Sequence, residues 1–381
     1  MDPVVDGRSR TVVQLLGPST GGIRAHVAEL TRRLQARGWH VVVAGPAGVM
    51  DGIGAQHADV AVPRSWSPIR LSRARRQLAP LVHPALVVHA HGLKAALVAL
   101  TVRPRPPVVL TVHNLVIGTQ RGLTRRVLGT VERRIIRGVD DVVVISPEIA
   151  QVVAELQPPD RCHEVLPVSP PRVRAESRLA VRSRLGVGDQ TPLVVVVARL
   201  HPQKDLAMFL AAMRLVVDRV PTARAVVVGD GPERERLLAE RDRLGLSSVV
   251  QFDGHRPNPV DEMAAADVVA LSSIWEGAPI AVAECLTVGA PLVTTAVGTV
   301  SRYLVDGVSA RVVPVGDAAA MADAISSLLL DRAAAAAIGA AGAALAARTF
   351  DPDVLADGVV EVYQHAVDRG DADREARRPV S

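Results

Sequence analysis

Eleven short aliphatic runs, each followed by a stretch of helical periodicity, limit what this chain can fold into. In the first half they are TVVQLL (11–16), HVVVA (40–44), ALVVH (85–89), PVVLTV (107–112), DVVVI (141–145) and EVLP (164–167). In the second they are PLVVVVA (192–198), RAVVVG (224–229), VVQF (249–252), DVVALS (267–272) and APLVTT (290–295). Val, Leu and Ile in unbroken series mean strands buried on both faces, as in a parallel sheet covered by helices. Strand–helix alternation makes the chain α/β. The rhythm fades at the Pro-rich, charged SPPRVRAE (169–176) and then restarts. The reading is two doubly wound, Rossmann-like domains facing a central cleft, at 11–170 and 171–350. Residues 1–10 read as a flexible N-terminus. Residues 351–369 read as a C-terminal helix returning to the first domain, and 370–381 as a polar tail.

Composition narrows the setting. The chain has 381 residues, 49% hydrophobic and 22% charged, which is enough to bury two cores. Its net charge of +5 conceals an asymmetry: residues 1–172 hold 22 Lys/Arg against 12 Asp/Glu, and the remainder 22 against 27. A basic first half suits an anionic partner, although a solvated Arg-rich surface has the same composition. Cys162 and Cys285 match no metal or redox spacing, as expected in a reducing compartment. The start, MDPVVDGRSR, does not have the pattern of a signal peptide. No apolar run reaches the ~20 residues that span a bilayer. A cytoplasmic location is the expectation.

In doubly wound sheets, ligands bind beyond the carboxyl ends of the strands, so residues that follow strands are the informative ones. After the first run comes GPSTGGIRAHVAEL, where Gly21 and Gly22 allow close backbone approach just before a helix N-terminus. It is neither G-x-G-x-x-G nor a P-loop. VVHAHG sets His89 and His91 at one strand end, and TVHN sets His113 and Asn114 at another, on the side expected to meet an acceptor. No third ligand stands at a recognisable spacing, so no metal is expected. In the second half, VVVVARLHPQKDL places Arg199 after a strand and Lys204 near the next helix, two cations suited to a diphosphate. VVVGDGPERERL offers a Gly231–Pro232 turn.

The stretch WEGAPIAVAECLTVGAP (275–291) carries two carboxylates, Glu276 and Glu284, in otherwise apolar surroundings. Pro279 suits the first position of a helix, so the amides around Gly277, Ala278 and Ile280 lack intrahelical partners and carry the positive dipole end. A pyrophosphate on those amides would lie between the two glutamates. Each carboxylate could accept hydrogen bonds from vicinal sugar hydroxyls. Ribose, diphosphate and sugar in a row describe a nucleotide sugar. The competing reading makes Glu284 a partly buried, paired carboxylate.

With these residues in view, the chain resembles the retaining glycosyltransferases of family 4, which have the GT-B fold. The likeness runs nearly end to end and in order: GG-x7-L, HAHG, TVHN, VVVIS followed by Pro-Glu, ARLHPQKDL, VVGDGPERERL, FDGHRPNPVDEMAAADVVALSS, WEGAPIAVAECLTVGAPLV and VDGVSARVVPVGD. The resemblance implies that Arg199 and Lys204 hold a UDP- or GDP-sugar by its diphosphate, Glu276 contacts the donor sugar and Glu284 the ribose. It implies that His255, Arg256 and the Gly231–Pro232 turn line the base pocket, that Gly21 and Gly22 lie beneath the donor, and that His91 faces the reacting sugar. It also implies no metal and no cofactor beyond the donor. Two departures stand out. In VGTVSRYLVDG, Thr299 and Arg302 replace the second Gly and the Glu of a Gly-Gly-x-x-Glu pattern, and Val168–Ser169 replaces Asn-Gly at the interdomain switch. They bear on donor-sugar preference and on activity.

QRGLTRRVLGTVERRIIRG (120–138) has an apolar face of Leu123, Val127, Leu128, Val131 and Ile135, with arginines opposite; Arg64, Trp66, Arg70, Arg73, Arg75 and Arg76 form a second basic cluster. Such a helix can lie on an anionic membrane, which would suit a lipid-linked acceptor, or pack as an ordinary core helix; the latter is preferred. Nucleic acid is not an expected partner, because no aromatics interleave the basic residues. The primary reading is a glycosyltransferase acting on an undefined hydroxyl acceptor in cell-envelope or glycoconjugate synthesis. Its rivals are a weak or inactive GT-B partner that senses sugar nucleotides, and a nucleotide-sugar epimerase.

Overall fold

The structure, a computed structural model, describes residues 4–5, 8–18, 22–49, 53–63, 67–113, 123–166, 172–276, 280–298 and 300–376. It divides into two compact units, Met1–Pro170 with Asp351–Ser381, and Pro171–Phe350.

In the first unit seven strands form one parallel sheet: β1 (Thr11–Leu16), β2 (His40–Gly45), β3 (Gln56–Asp59), β4 (Val87–His91), β5 (Val108–Val112), β6 (Asp141–Val144) and β7 (Cys162–Glu164). Their order is β3-β2-β1-β4-β5-β6-β7. Residues Val4–Val5 and Arg8–Ser9 pair antiparallel as a separate two-stranded sheet. The second unit repeats the plan with β8 (Leu193–Val197), β9 (Arg224–Val228), β10 (Val250–Gly254), β11 (Val268–Leu271), β12 (Leu292–Thr295) and β13 (Arg311–Val313), ordered β10-β9-β8-β11-β12-β13. Each order reverses once, between β1 and β4 and between β8 and β11. At such a reversal the flanking loops diverge and leave a crevice at the carboxyl end of the sheet.

The unbroken aliphatic runs have the expected cause. In β8, Leu193 and Val195 face one core with Val226, Val228 and Val269, while Val194 and Val196 face another with Ala225, Val227 and Met213. Each such side chain contributes about 1.5–3 kcal/mol by leaving water, so both faces select against polar residues. Edge strands escape this rule. In β3 (QHAD) three of the four residues, Gln56, His57 and Asp59, are polar and exposed, and no apolar run announces it. Strand β7 begins at Cys162, two residues before the run EVLP, and ends at Glu164.

The helix Pro352–Ala376 belongs to the first unit. It buries Ala356, Val359, Val362, Tyr363 and Ala366 there. Arg37 pairs with Asp353 (3.0 Å) and Asp357 (2.6 Å). Fully buried Asp141 of β6 accepts from His163 (2.8 Å), His365 (2.9 Å) and Arg369 (2.9 Å), so its charge is matched within the unit. The helix continues to Ala376, past the point where the polar composition from residue 370 suggests a tail.

The stretch Arg332–Ala372 is, by length and composition, apolar enough to cross a membrane, the one such stretch among the described residues. Its first part, the helix Arg332–Thr349, buries Ala335, Ile338, Gly339, Gly342 and Ala346 within the second unit. A Cβ on Gly339 would stand 2.3 Å from the Gly289 carbonyl oxygen, so the small residues serve close packing.

Candidate functional site

At the reversal of the second sheet, two loops are laced together. After β8 the chain passes through Arg199 to a 3-10 turn, Pro202–Lys204, and then Asp205, which adopts a left-handed backbone (φ 42°) and caps the helix Leu206–Arg219 by accepting from the Met208 amide. After β11 come Ser272, Ser273, Ile274, Trp275 and Glu276. The Ile274 amide donates to the Gln203 carbonyl (2.8 Å), Gln203 Nε2 to the Trp275 carbonyl (3.0 Å), and Ser272 Oγ to the Lys204 carbonyl (2.7 Å). These bonds bring Lys204 Nζ onto Glu276 Oε1 as an ion pair. Ser273 Oγ donates to the same oxygen at 2.7 Å, and Thr295 of β12 steadies the Ser273 carbonyl at 2.7 Å. Arg199 is exposed, with no hydrogen bond or ion pair of its side chain among the described residues.

The glycines after β9 have a packing role. A Cβ on Gly229 would meet the Ala198 carbonyl oxygen at 1.8 Å, and one on Gly231 the Leu200 carbonyl oxygen at 2.4 Å. The β8 and β9 loops could not approach this closely with any other residue. Pro232 is exposed beside them, two residues ahead of the helix Arg234–Arg243. After β10, His255 is exposed, whereas Arg256 is tied to Asp253 at 2.8 Å.

Glu284 lies in the helix Ile280–Thr287, paired with Arg172 Nε at 2.5 Å. Burial pushes its carboxyl above the ordinary range, and the Arg172 charge draws it partly back. This is the paired-carboxylate arrangement, so a ribose would have to share Glu284 with Arg172 or displace it. Gly277 and Ala278, named above for phosphate amides, and the helix-opening Pro279 lie outside the described residues, as do Gly21, Asn114, Val168, Ser169, Thr299, Arg64 and Trp66.

At the reversal of the first sheet the described polar groups are amide, hydroxyl and imidazole. Gln14 on β1 stands in register with His89 on β4, and Leu16 with His91. His89 is not at the strand mouth; it is fully buried between Tyr363 Oη (2.7 Å from Nδ1) and Thr111 Oγ1 (2.7 Å from Nε2). His91 is the last residue of β4, its Nε2 2.5 Å from Gln14 Oε1 and its Nδ1 3.4 Å from His113 Nε2. Burial pushes the His89 and His91 imidazoles well below their ordinary pKa, helped by neighbouring imidazoles. It pushes His113 down to about 3, with His26 contributing. His26, on the helix Gly22–Ala36, completes a cluster with His91 and His113 whose ring nitrogens lie within 4.8 Å of one another. Three neutral imidazoles at that spacing could hold a metal ion. The third member escaped a spacing search because it comes from a different element of the fold.

Gln14, His26, Ser273 and Tyr363 are site residues that sequence reasoning passed over. Gln14 carried a signal, the lone polar residue inside TVVQLL. Tyr363 carried another, as one of two tyrosines in a chain with 2% aromatics. In the helix Leu123–Gly138, Ile135 and Ile136 are buried while Arg133, Arg134 and Arg137 point to solvent; Arg70, Arg73, Arg75 and Arg76 are exposed on the helix Pro68–Val82.

Two doubly wound parallel sheets, each with polar groups gathered at its reversal, define the GT-B class. Anabaena HepE, solved with UDP, superposes with a TM-score of 0.78 at 19% identity, covering 93% of this chain and 99% of that one. Residues 177–344 match the family described as Glycosyl transferases group 1, and residues 21–169 the Glycosyl transferase 4-like domain. The D-inositol 3-phosphate glycosyltransferase of Nocardia farcinica is 30% identical over 86% of this chain and 75% of its own length. The phosphatidyl-myo-inositol mannosyltransferase of Mycobacterium leprae is 28% identical over 92% and 94%. The chain belongs to the group 1, family 4 glycosyltransferases and is a transferase.

Proposed function

We propose that this glycosyltransferase moves a sugar from a nucleoside-diphosphate sugar to a hydroxyl acceptor with retention at the anomeric carbon. The observation that carries the reading is the Lys204–Glu276 ion pair at the reversal of the second sheet, with exposed Arg199 beside the same strand end. A bound diphosphate would draw Lys204 away from Glu276 and engage Arg199, two cations doing what a divalent ion does elsewhere. Freed of its cation, Glu276 would accept from sugar hydroxyls while Ser273 keeps it in place. The acceptor oxygen would then bond to the anomeric carbon as the bond to the β-phosphate oxygen breaks. The departing phosphate takes the acceptor's proton, on the face it leaves. Protein groups position and stabilise; none needs to exchange a proton.

The names of the relatives direct the acceptor search to an inositol ring, free or lipid-linked. Cell-envelope or glycoconjugate synthesis and a cytoplasmic site of action accompany that reading. The exposed arginines of Leu123–Gly138 would then meet an anionic membrane, though the buried Ile135 and Ile136 are those of a packing helix.

The test is a thermal-shift panel of UDP, GDP and ADP with UDP-glucose, UDP-N-acetylglucosamine and GDP-mannose, run with and without EDTA. A ligand bound only by the folded state raises its apparent stability by mass action. One stabilising nucleotide, followed by its release on adding inositol 3-phosphate, is the expected result. A flat panel with folded protein moves the weight to a degenerate, non-transferring partner.

A further inference from the structure

His91 ends a chain of hydrogen bonds that begins far away in the sequence. Its Nε2 meets Gln14 Oε1 at 2.5 Å, Gln14 Nε2 meets Tyr363 Oη at 2.8 Å, Tyr363 Oη meets His89 Nδ1 at 2.7 Å, and His89 Nε2 meets Thr111 Oγ1 at 2.7 Å. Gln14, His89 and Tyr363 are wholly buried, and His91 and Thr111 nearly so. No water is needed to complete the chain. The Gln14 amide nitrogen donates to the tyrosine oxygen, leaving the amide oxygen as acceptor. An amide oxygen cannot donate, so His91 must carry its proton on Nε2. The Tyr363 oxygen that accepts from Gln14 also meets His89 Nδ1, and His89 Nε2 meets the Thr111 hydroxyl.

We propose that Gln14 and Tyr363 are positioning residues that hold His91 as the Nε2–H tautomer, leaving its Nδ1 lone pair as an acceptor on the side facing His113. The inference rests on the reading of His91 as the residue facing the reacting sugar. There a sugar or acceptor hydroxyl would take the place of His113 Nε2, which stands 3.4 Å from that nitrogen, and a tautomer change would replace acceptance by repulsion between two donors. The groups acting on His91 are the imidazoles of His26, His89 and His113, with no carboxylate among them. The consequence is that the helix Pro352–Ala376, which follows the second unit in sequence, supplies the group that orders the first unit's site.

The experiment is a long-range proton–nitrogen correlation spectrum of the full chain labelled with 15N-histidine, assigned by single-histidine replacements, for the natural protein and for Tyr363→Phe. Phenylalanine keeps the ring's packing and removes only the link. The natural protein should show His91 protonated at Nε2 alone. Tyr363→Phe should show a mixture of tautomers. Its kcat, with whichever of UDP-glucose or GDP-mannose the natural protein turns over, should fall about tenfold, the scale of one lost hydrogen bond, while KM holds. A purely structural tyrosine would lower stability and leave the tautomer unmoved. A His91 protonated at Nδ1 in the natural protein overturns the inference without any variant. So does a Tyr363→Phe protein whose tautomer or kcat is unchanged. If neither donor is turned over, the transfer reading fails, and the tautomer spectra alone decide whether the chain orders His91.

Discussion

The two sheet ends solve the same problem with opposite chemistry. At the reversal of the second sheet, Lys204 and Glu276 neutralise each other and remain partly open, 19% and 12% exposed at their side chains. At the reversal of the first, Gln14, His89, His91 and Tyr363 are buried, hydrogen-bonded and uncharged. An ion pair can exchange one partner for a ligand of the same charge. A buried neutral network cannot be opened without stranding its donors, which is costly. The first arrangement suits a group that must recognise an arriving anion. The second suits a group that must already be in place.

The sharpest way to break this contrast is at Glu276. Glu276→Ala should lower transfer by about 10³-fold, as loss of a group that acts on the reacting sugar does, while nucleotide diphosphate binds within a few-fold of normal. Lys204→Ala should instead weaken the nucleotide diphosphate itself, by about tenfold. Titration calorimetry and initial rates together separate the two. Near-normal transfer by Glu276→Ala would remove this carboxylate from the site.

Acid separates the units next. His89, His91 and His113 have folded pKa values below their unfolded ones, so the unfolded chain takes up protons first as pH falls. Their contribution is complete above about pH 6.5 and is lost below it, by about 1.4 kcal/mol per group per pH unit. Between pH 7.5 and 5.5 the first unit should lose about 4 kcal/mol. Glu284 in the second unit has the opposite sign: its folded pKa is raised, so its penalty is absent at low pH, grows as pH rises past the unfolded value and is complete above the folded one. Hydrogen exchange followed by mass spectrometry, resolved by unit, reads both. Equal acid sensitivity of the two units would show that the imidazole network does not set it.

The smallest effect sharpens the reading of Glu284. Arg172→Ala should destabilise the second unit by about 1 kcal/mol at pH 7, a modest figure because Arg172 is 35% exposed, and by less at pH 4, where the carboxyl can protonate. Urea unfolding at the two pH values is the measurement. If the variant also binds nucleotide more tightly, Arg172 competes with the ribose for Glu284.

Much of the site was legible in particular residues. Lys204 and Glu276 each follow a β-rich run, and the rule that ligands gather at strand carboxyl ends was enough to select them. His91 came from the same argument. His89 did not fare as well: two residues along a strand return to the same face, so the rule could not distinguish a buried strand position from a strand mouth. Edge strand β3 went unread because an edge need not be apolar, and the Gly231–Pro232 turn gave no sign that loop packing also demands glycine at 229 and 231.

The sequence by itself determined the α/β class, the two domains and the strands that lead to the site, because burial on both faces of a central strand imposes a local apolar pattern. It also determined which cations and carboxylates follow those strands. Only the tertiary structure decided the partners: that Lys204 meets Glu276, that Arg172 covers Glu284, that His26 joins His91 and His113, and that Tyr363 reaches Gln14 across 349 residues. Strand order and helix docking set those distances, and neither leaves a periodic trace in the chain.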